Sequence, residues 1–215
     1  MTEEAWLKLT RLDPLLTFAI QHTSVRRVAL FACGCCRCAQ DWSLSGVEGD
    51  AIHATERYRD GEITRRTWLK YGRALEGDES WLQTATGWEC DFRDAVHCLF
   101  HENELSVHDV LLRAVERVST TEYTEAVEAK LCGLLRDVFG NPFRPVSFSP
   151  AWRTENVVLL ARQMYESRDF GAMPILADAL QDAGCENEEI LSHCRDANQV
   201  HVRGCWVVDL VLGKE

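Results

Sequence analysis

Apolar residues recur at three- and four-residue steps along almost the whole chain, the spacing of one buried helix face. Val28, Phe31, Cys35, Ala39 and Trp42 form one stripe, and Val47, Ala51, Thr55 and Tyr58 a second. The longest stripe, Trp81, Ala85, Trp88, Phe92, Ala95 and Leu99, predicts a helix of about six turns. Val107, Val110, Leu111, Ala114 and Val118 predict another, with Ser106 and Asp109 at its start, and Tyr123, Val127, Leu131, Leu134 and Val138 predict the next. Beyond a break come Val157, Leu160, Ala161, Met164 and Tyr165, then Met173, Leu176, Ala177 and Leu180.

The polar residues punctuate these stripes. Asp13 before Pro14 suits a helix start, since the proline lacks an N–H only where none is needed. Thr23 and Ser24 can cap the following helix, and Ser45 to Glu48 has the spacing of a capping box. Asp60-Gly61, Gly77-Asp78, Gly140 and Gly184 read as stops. Further helices are expected over residues 62–76 and 188–195. The end is ambiguous: Trp206, Val208, Leu210 and Leu212 alternate like a strand, yet the segment also fits two helical turns closed by Gly213. No partner strand is evident, so a helix is expected.

These patterns predict an all-α, multi-helix domain with a smaller C-terminal helical subdomain. Three of the five prolines fall between Gly140 and Pro150, where each disfavours helix in the residue before it. The expected division is therefore a helical lobe over residues 1–139, a proline-rich connector over 140–150 and a helical subdomain over 151–215.

Composition narrows the function classes. With 46% hydrophobic and 27% charged residues in 215, the chain can bury a core unaided. No apolar run approaches the roughly 20 residues of a membrane span, and Met1-Thr2-Glu3-Glu4 lacks the layout of a secretory signal. A cytoplasmic location is expected, without membrane association. The net charge of −11 weighs against nucleic-acid binding, which needs clustered cations on phosphate. Ten cysteines are many for this length; in a reducing compartment they are free thiols, most of them suited to core packing.

Three cysteine or histidine groupings can carry chemistry. Cys33 and Cys36, overlapped by Cys35 and Cys38, lie three apart on a helix, so either pair can offer two thiolates to zinc or serve as buried structural thiols. Cys185, Cys194, His201 and Cys205 can form a closed three-thiolate, one-imidazole zinc site pinning residues 196–204, or can simply pack. Cys90, Asp94, His97 and His101 share one helix face, either a metal face or the ordinary polar side of an amphipathic helix. No phosphate-binding glycine motif, dinucleotide fingerprint or nucleophile elbow is present, so no catalytic residue and no organic cofactor is expected.

Two stretches resemble a known group. Trp6 through Pro14, then Leu30-Phe31-Ala32-Cys33-Gly34-Cys35-Cys36-Arg37, Glu56-Arg57-Tyr58 and Asp60-Gly61 resemble a large paralogous group of planctomycete proteins of the Gemmata type. The C-terminal match runs through Phe139-Gly140-Asn141-Pro142-Phe143-Arg144-Pro145, Ala151-Trp152, residues 174–180, 183–185 and 193–195, and closes on His201-Val202-Arg203-Gly204-Cys205-Trp206-Val207-Val208-Asp209. The matching segments cover a little over a third of the chain; residues 62–125 have no counterpart in it. The resemblance implies helices and a bacterial cytoplasm, and the group offers no established activity from which a catalytic residue could be carried over. The function this points to is a cytoplasmic protein–protein interaction or scaffold module with a protein partner. Two alternatives stand beside it, a zinc-stabilised regulatory module and an enzyme of unrecognised type.

Overall fold

The computed structural model of the chain describes residues 1–38, 46–77, 96, 99–100 and 125–214. Every regular element among them is helical and none is a strand, so the protein is all-α as its periodicity predicts. The helices are α1 (Glu3–Lys8), α2 (Leu12–Ile20), α3 (Val25–Cys38), α4 (Val47–Arg59), α5 (Arg65–Gly77), α6 (Glu125–Phe139), α7 (Glu155–Ser167), α8 (Met173–Asp182), α9 (Glu188–Arg195) and α10 (Trp206–Leu212), with a short 3₁₀ turn at Pro150–Trp152. The expected helix over the Val107–Val118 stripe lies outside the described residues, as do Trp42 and the Trp81–Leu99 stripe except for Leu99, which stands in a turn. No helix among the described residues is long and apolar enough to cross a membrane.

The chain divides into two compact units. One comprises Met1–His22 with Cys132–Glu215, the other Thr23–Leu131. This differs from the division expected at the proline-rich connector, because the first 22 residues belong with the C-terminal helices. The reason is local: the Arg136 guanidinium on α6 donates to the backbone carbonyls of Trp6 and Leu9, where α1 leaves carbonyls unpaired. In return the Trp6 indole N–H donates to Gly140 O at 3.1 Å, and Trp6 is 1% exposed. Asn141 adds a bond to Glu3.

In the second unit α3 packs on α4, and α4 on α5. Ser24 caps α3 as expected, its hydroxyl accepting from Arg27 N–H at 3.4 Å. The α3 helix is buried on all sides from Val28 to Cys36, more widely than a single stripe implies. The cap of α4 falls on Gly46, at φ +104°, with no side-chain bond. The proposed capping box thus gives way to a glycine cap, and its Ser45 lies outside the described residues. Trp68 anchors this unit: fully buried, it donates to Thr55 Oγ1 at 3.0 Å, and Thr55 donates in turn to Ala51 O. Tyr58 and Phe100 both stack on it.

In the first unit α7, α8, α9 and α10 enclose an apolar core that includes Val157, Met164, Leu176, Ile190, Val208 and Val211. Caps set the boundaries. Thr154 accepts from Val157 N–H and Asn187 from both Glu189 and Ile190 N–H. Pro174 stands in the first turn of α8, and Gly184 ends the passage beyond it at φ +85°. The ambiguous last segment is a helix, closed by Gly213 in the left-handed region.

Candidate metal centre

Along α6 the core face carries Leu131, Leu134, Leu135 and Val138, and one acid shares it. Asp137 is 0% exposed. Its Oδ2 accepts from the Val202 N–H at 3.0 Å, and its Oδ1 faces two imidazoles: His201 Nδ1 at 2.7 Å and His193 Nε2 at 3.1 Å. The Cys205 Sγ completes the group, 3.3 Å from His193 Nε2 and 3.8 Å from His201 Nδ1. One ligand atom from each of these four residues falls within 4.8 Å of all the others.

Three parts of the first unit deliver them. Helix α6 brings Asp137. Helix α9 buries Ile190, Leu191 and Cys194 in the core, which turns the adjacent His193 toward the acid. The irregular run from Asp196 to α10 brings His201 and, at the N-cap of α10, Cys205. Trp206 lies beside His193, with ring centroids 5.1 Å apart, and packs close to Gly140.

The geometry suits a tetrahedral divalent ion. Bonds of about 2.0–2.3 Å at tetrahedral angles put ligand atoms about 3.3–3.7 Å apart, and the separations here, from 2.7 Å to within 4.8 Å, fall on both sides of that range. Proton counting agrees. Two imidazole nitrogens face one carboxylate oxygen and the thiol lies against both rings, so up to three protons share this small space. A cation replaces those protons and satisfies all four atoms at once. His201 carries a further sign: its ring is 6% exposed and its Nε2 is buried without a hydrogen-bond partner. The donor set, one carboxylate, one thiolate and two neutral imidazoles, balances a divalent charge, as a buried site requires.

Electrostatics are consistent with this. Burial pushes the Asp137 carboxyl up, but hydrogen bonds from His193 and His201 and the charge of both rings outweigh it and hold the carboxyl below its ordinary value. Burial, then the negative charge of Asp137, raises the Cys205 thiol well above its usual range, so the thiolate needs a cation to form.

The sequence placed His201 and Cys205 in a metal set with Cys185 and Cys194. The structure gathers His201 and Cys205 with Asp137 and His193, while Cys185 and Cys194 are 0% and 1% exposed in the apolar core. Burial, with the negative charges of Asp137 and Cys185, pushes Cys194 up to about 12. Cys33 and Cys36 are buried on α3 and join no such group among the described residues. Burial, then Glu56, raises Cys33 far above its ordinary value. The side chain of Cys38 and all of Cys90, Asp94, His97 and His101 lie outside the described residues. His193 also lines a cavity of about 360 Å³ bounded by Trp6, Arg136, Arg144 and Trp206.

The fold and the group define an all-helical protein with a buried centre able to hold a metal ion. Comparison with protein-family models, with curated proteins and with solved structures finds no match.

Proposed function

We propose that the chain is a zinc-stabilised helical module that acts by binding a protein partner in the cytoplasm, with the Asp137–His193–His201–Cys205 group as its zinc site. The observation that carries the zinc reading is the convergence of four unlike ligand atoms on one buried point. Zinc suits it best: the ion has no redox chemistry to disturb a thiolate, accepts mixed N, O and S donors and favours four-coordination. All four ligands come from the protein and two of them are wholly buried, which leaves no open position for a substrate. The centre is therefore structural, and the chain works as a binding module rather than an enzyme. Leu159 and Ile175, on the consecutive helices α7 and α8, are 63% and 58% exposed and are proposed as contact points for a partner.

Elemental analysis of protein purified without added metal tests the zinc reading. One zinc per chain is expected, absent from Asp137→Ala. Cobalt substitution should give the visible absorption of a tetrahedral site with a thiolate charge-transfer band, and Cys205→Ser should remove that band. A metal content far below one per chain, even after incubation with zinc, defeats the proposal.

A further inference from the structure

The four residues that would hold the ion do not hold the same things in place. Residues 196–204 form no helix, and their described backbone bonds close one turn at each end, Gln199 N–H to Asp196 O and Cys205 N–H to Val202 O. In the middle of the segment Asp137 receives the Val202 N–H on one oxygen and faces His201 with the other. Gln199 adds a side-chain bond to Gly133 O, and Arg203 lies over the Tyr165 ring at 4.5 Å.

The neighbouring helices are secured without the metal ligands. Helix α10 buries Val207, Val208 and Val211, and Arg153 donates to the carbonyls of Leu210 and Val211 at its end. Helix α9 is capped by Asn187, and Arg195 donates to Asp178 and Gln181 on α8. Helix α1 is fastened to α6 through Arg136 and Trp6.

Resting on the zinc reading above, we infer that zinc acts as a latch for residues 196–204 alone, so that metal supply switches this segment between docked and free while α6 to α10 stay folded. Without the ion, His201 and Cys205 lose their bonds to it, and the segment is held more weakly than in the loaded protein. Release exposes Val202 and Arg203, which are 8% and 4% exposed when docked, and so presents an apolar–cationic stretch that is hidden in the zinc-loaded protein. A segment of low local stability, released by loss of a ligand, is the ordinary form of an order–disorder switch.

Hydrogen exchange of the full chain, zinc-loaded and after chelation, tests the latch. Peptides covering 196–204 should exchange at least tenfold faster once zinc is removed, with those of α7, α8 and the body of α10 unchanged. His193→Ala sharpens the test, because His193 sits on α9 outside the segment. In the presence of zinc this variant should free 196–204 as chelation does, whereas a residue that only packs would leave them protected. Zinc uptake at one per chain with unaltered exchange in 196–204 overturns the latch and spares the zinc site. Faster exchange spread over α7 to α10 also overturns it, since the ion then holds the whole unit. No uptake of zinc at all removes both.

Discussion

Each unit of the molecule buries a carboxylate beside cysteine thiols, and each neutralises it differently. In the second unit Glu56, 2% exposed, receives two hydrogen bonds from Arg37, at 2.7 and 3.1 Å, with Cys33 and Cys36 buried on the same α3 helix. In the first unit Asp137 has two imidazoles, a thiol nearby and one backbone N–H. A buried carboxylate without a countercharge costs several kcal/mol. Glu56 has a permanent cation on the chain, and the pair needs nothing from solution. Asp137 has only groups that titrate or could bind a metal, so its countercharge is either a proton on a facing imidazole or an ion. Cysteines at helical spacing therefore do not by themselves mark a metal site; the partner of the neighbouring acid decides.

The largest expected effect breaks this contrast on the side of the first unit. Asp137→Ala should abolish zinc binding and destabilise the protein by about 3–5 kcal/mol, since it strands two imidazoles and a thiol in the core. Urea unfolding with parallel metal analysis reads both. Arg37→Ala should cost a similar or slightly smaller amount, about 3 kcal/mol, by removing the guanidinium that pairs with the buried Glu56, yet zinc content should not change. The double change Arg37→Met with Glu56→Leu should recover most of that loss, because a desolvated ion pair is commonly replaceable by apolar groups. Loss of zinc in either variant of the second unit would show that the two clusters are not independent.

A smaller effect is expected at Gly140, where the chain leaves α6 at φ +67° and an added Cβ would come within 3.2 Å of the Trp206 indole. Gly140→Ala should cost about 1–3 kcal/mol from left-handed strain and the contact with an indole that also flanks His193. Thermal unfolding gives the stability loss, and a zinc competition assay should show weaker binding than in the parent. Unchanged stability would mean that Trp206 moves aside freely.

The helices were legible because their signals are local. Spacing of apolar residues, Ser24 before α3, and Gly140, Gly184 and Gly213 after their helices each act within a few residues. The interleaving of the first 22 residues with the C-terminal unit was not, because it rests on Arg136 reaching the carbonyls of Trp6 and Leu9, a contact across more than a hundred positions. Half of the candidate site is legible: the sequence singles out His201 and Cys205 but not Asp137 and His193. Asp137 carried a signal, an acid three residues beyond Leu134 on an otherwise apolar face. His193 stands next to Cys194, and residue type alone favoured the thiol. Which of two adjacent side chains turns to the core depends on the register of α9, which Ile190 and Leu191 set by packing.

That register supplies the finest test of the comparison, through the caps of the two helices that carry the contrasted groups. Asn187 makes two bonds to the first turn of α9, at 3.0 and 3.1 Å, whereas Ser24 makes one of 3.4 Å to α3. Asn187→Ala should therefore cost about 1 kcal/mol and Ser24→Ala about 0.5 kcal/mol in urea unfolding of the zinc-loaded protein. Zinc affinity should stay within about twofold of the parent in both, since a lost cap frays the first turn and falls off before the last. His193 lies in that last turn, held by the burial of Leu191 and Cys194 on either face of it. A tenfold fall in zinc affinity for Asn187→Ala alone would show the opposite, that the cap and not the core fixes the register of α9, and the imidazole would then owe its aim to the start of the helix.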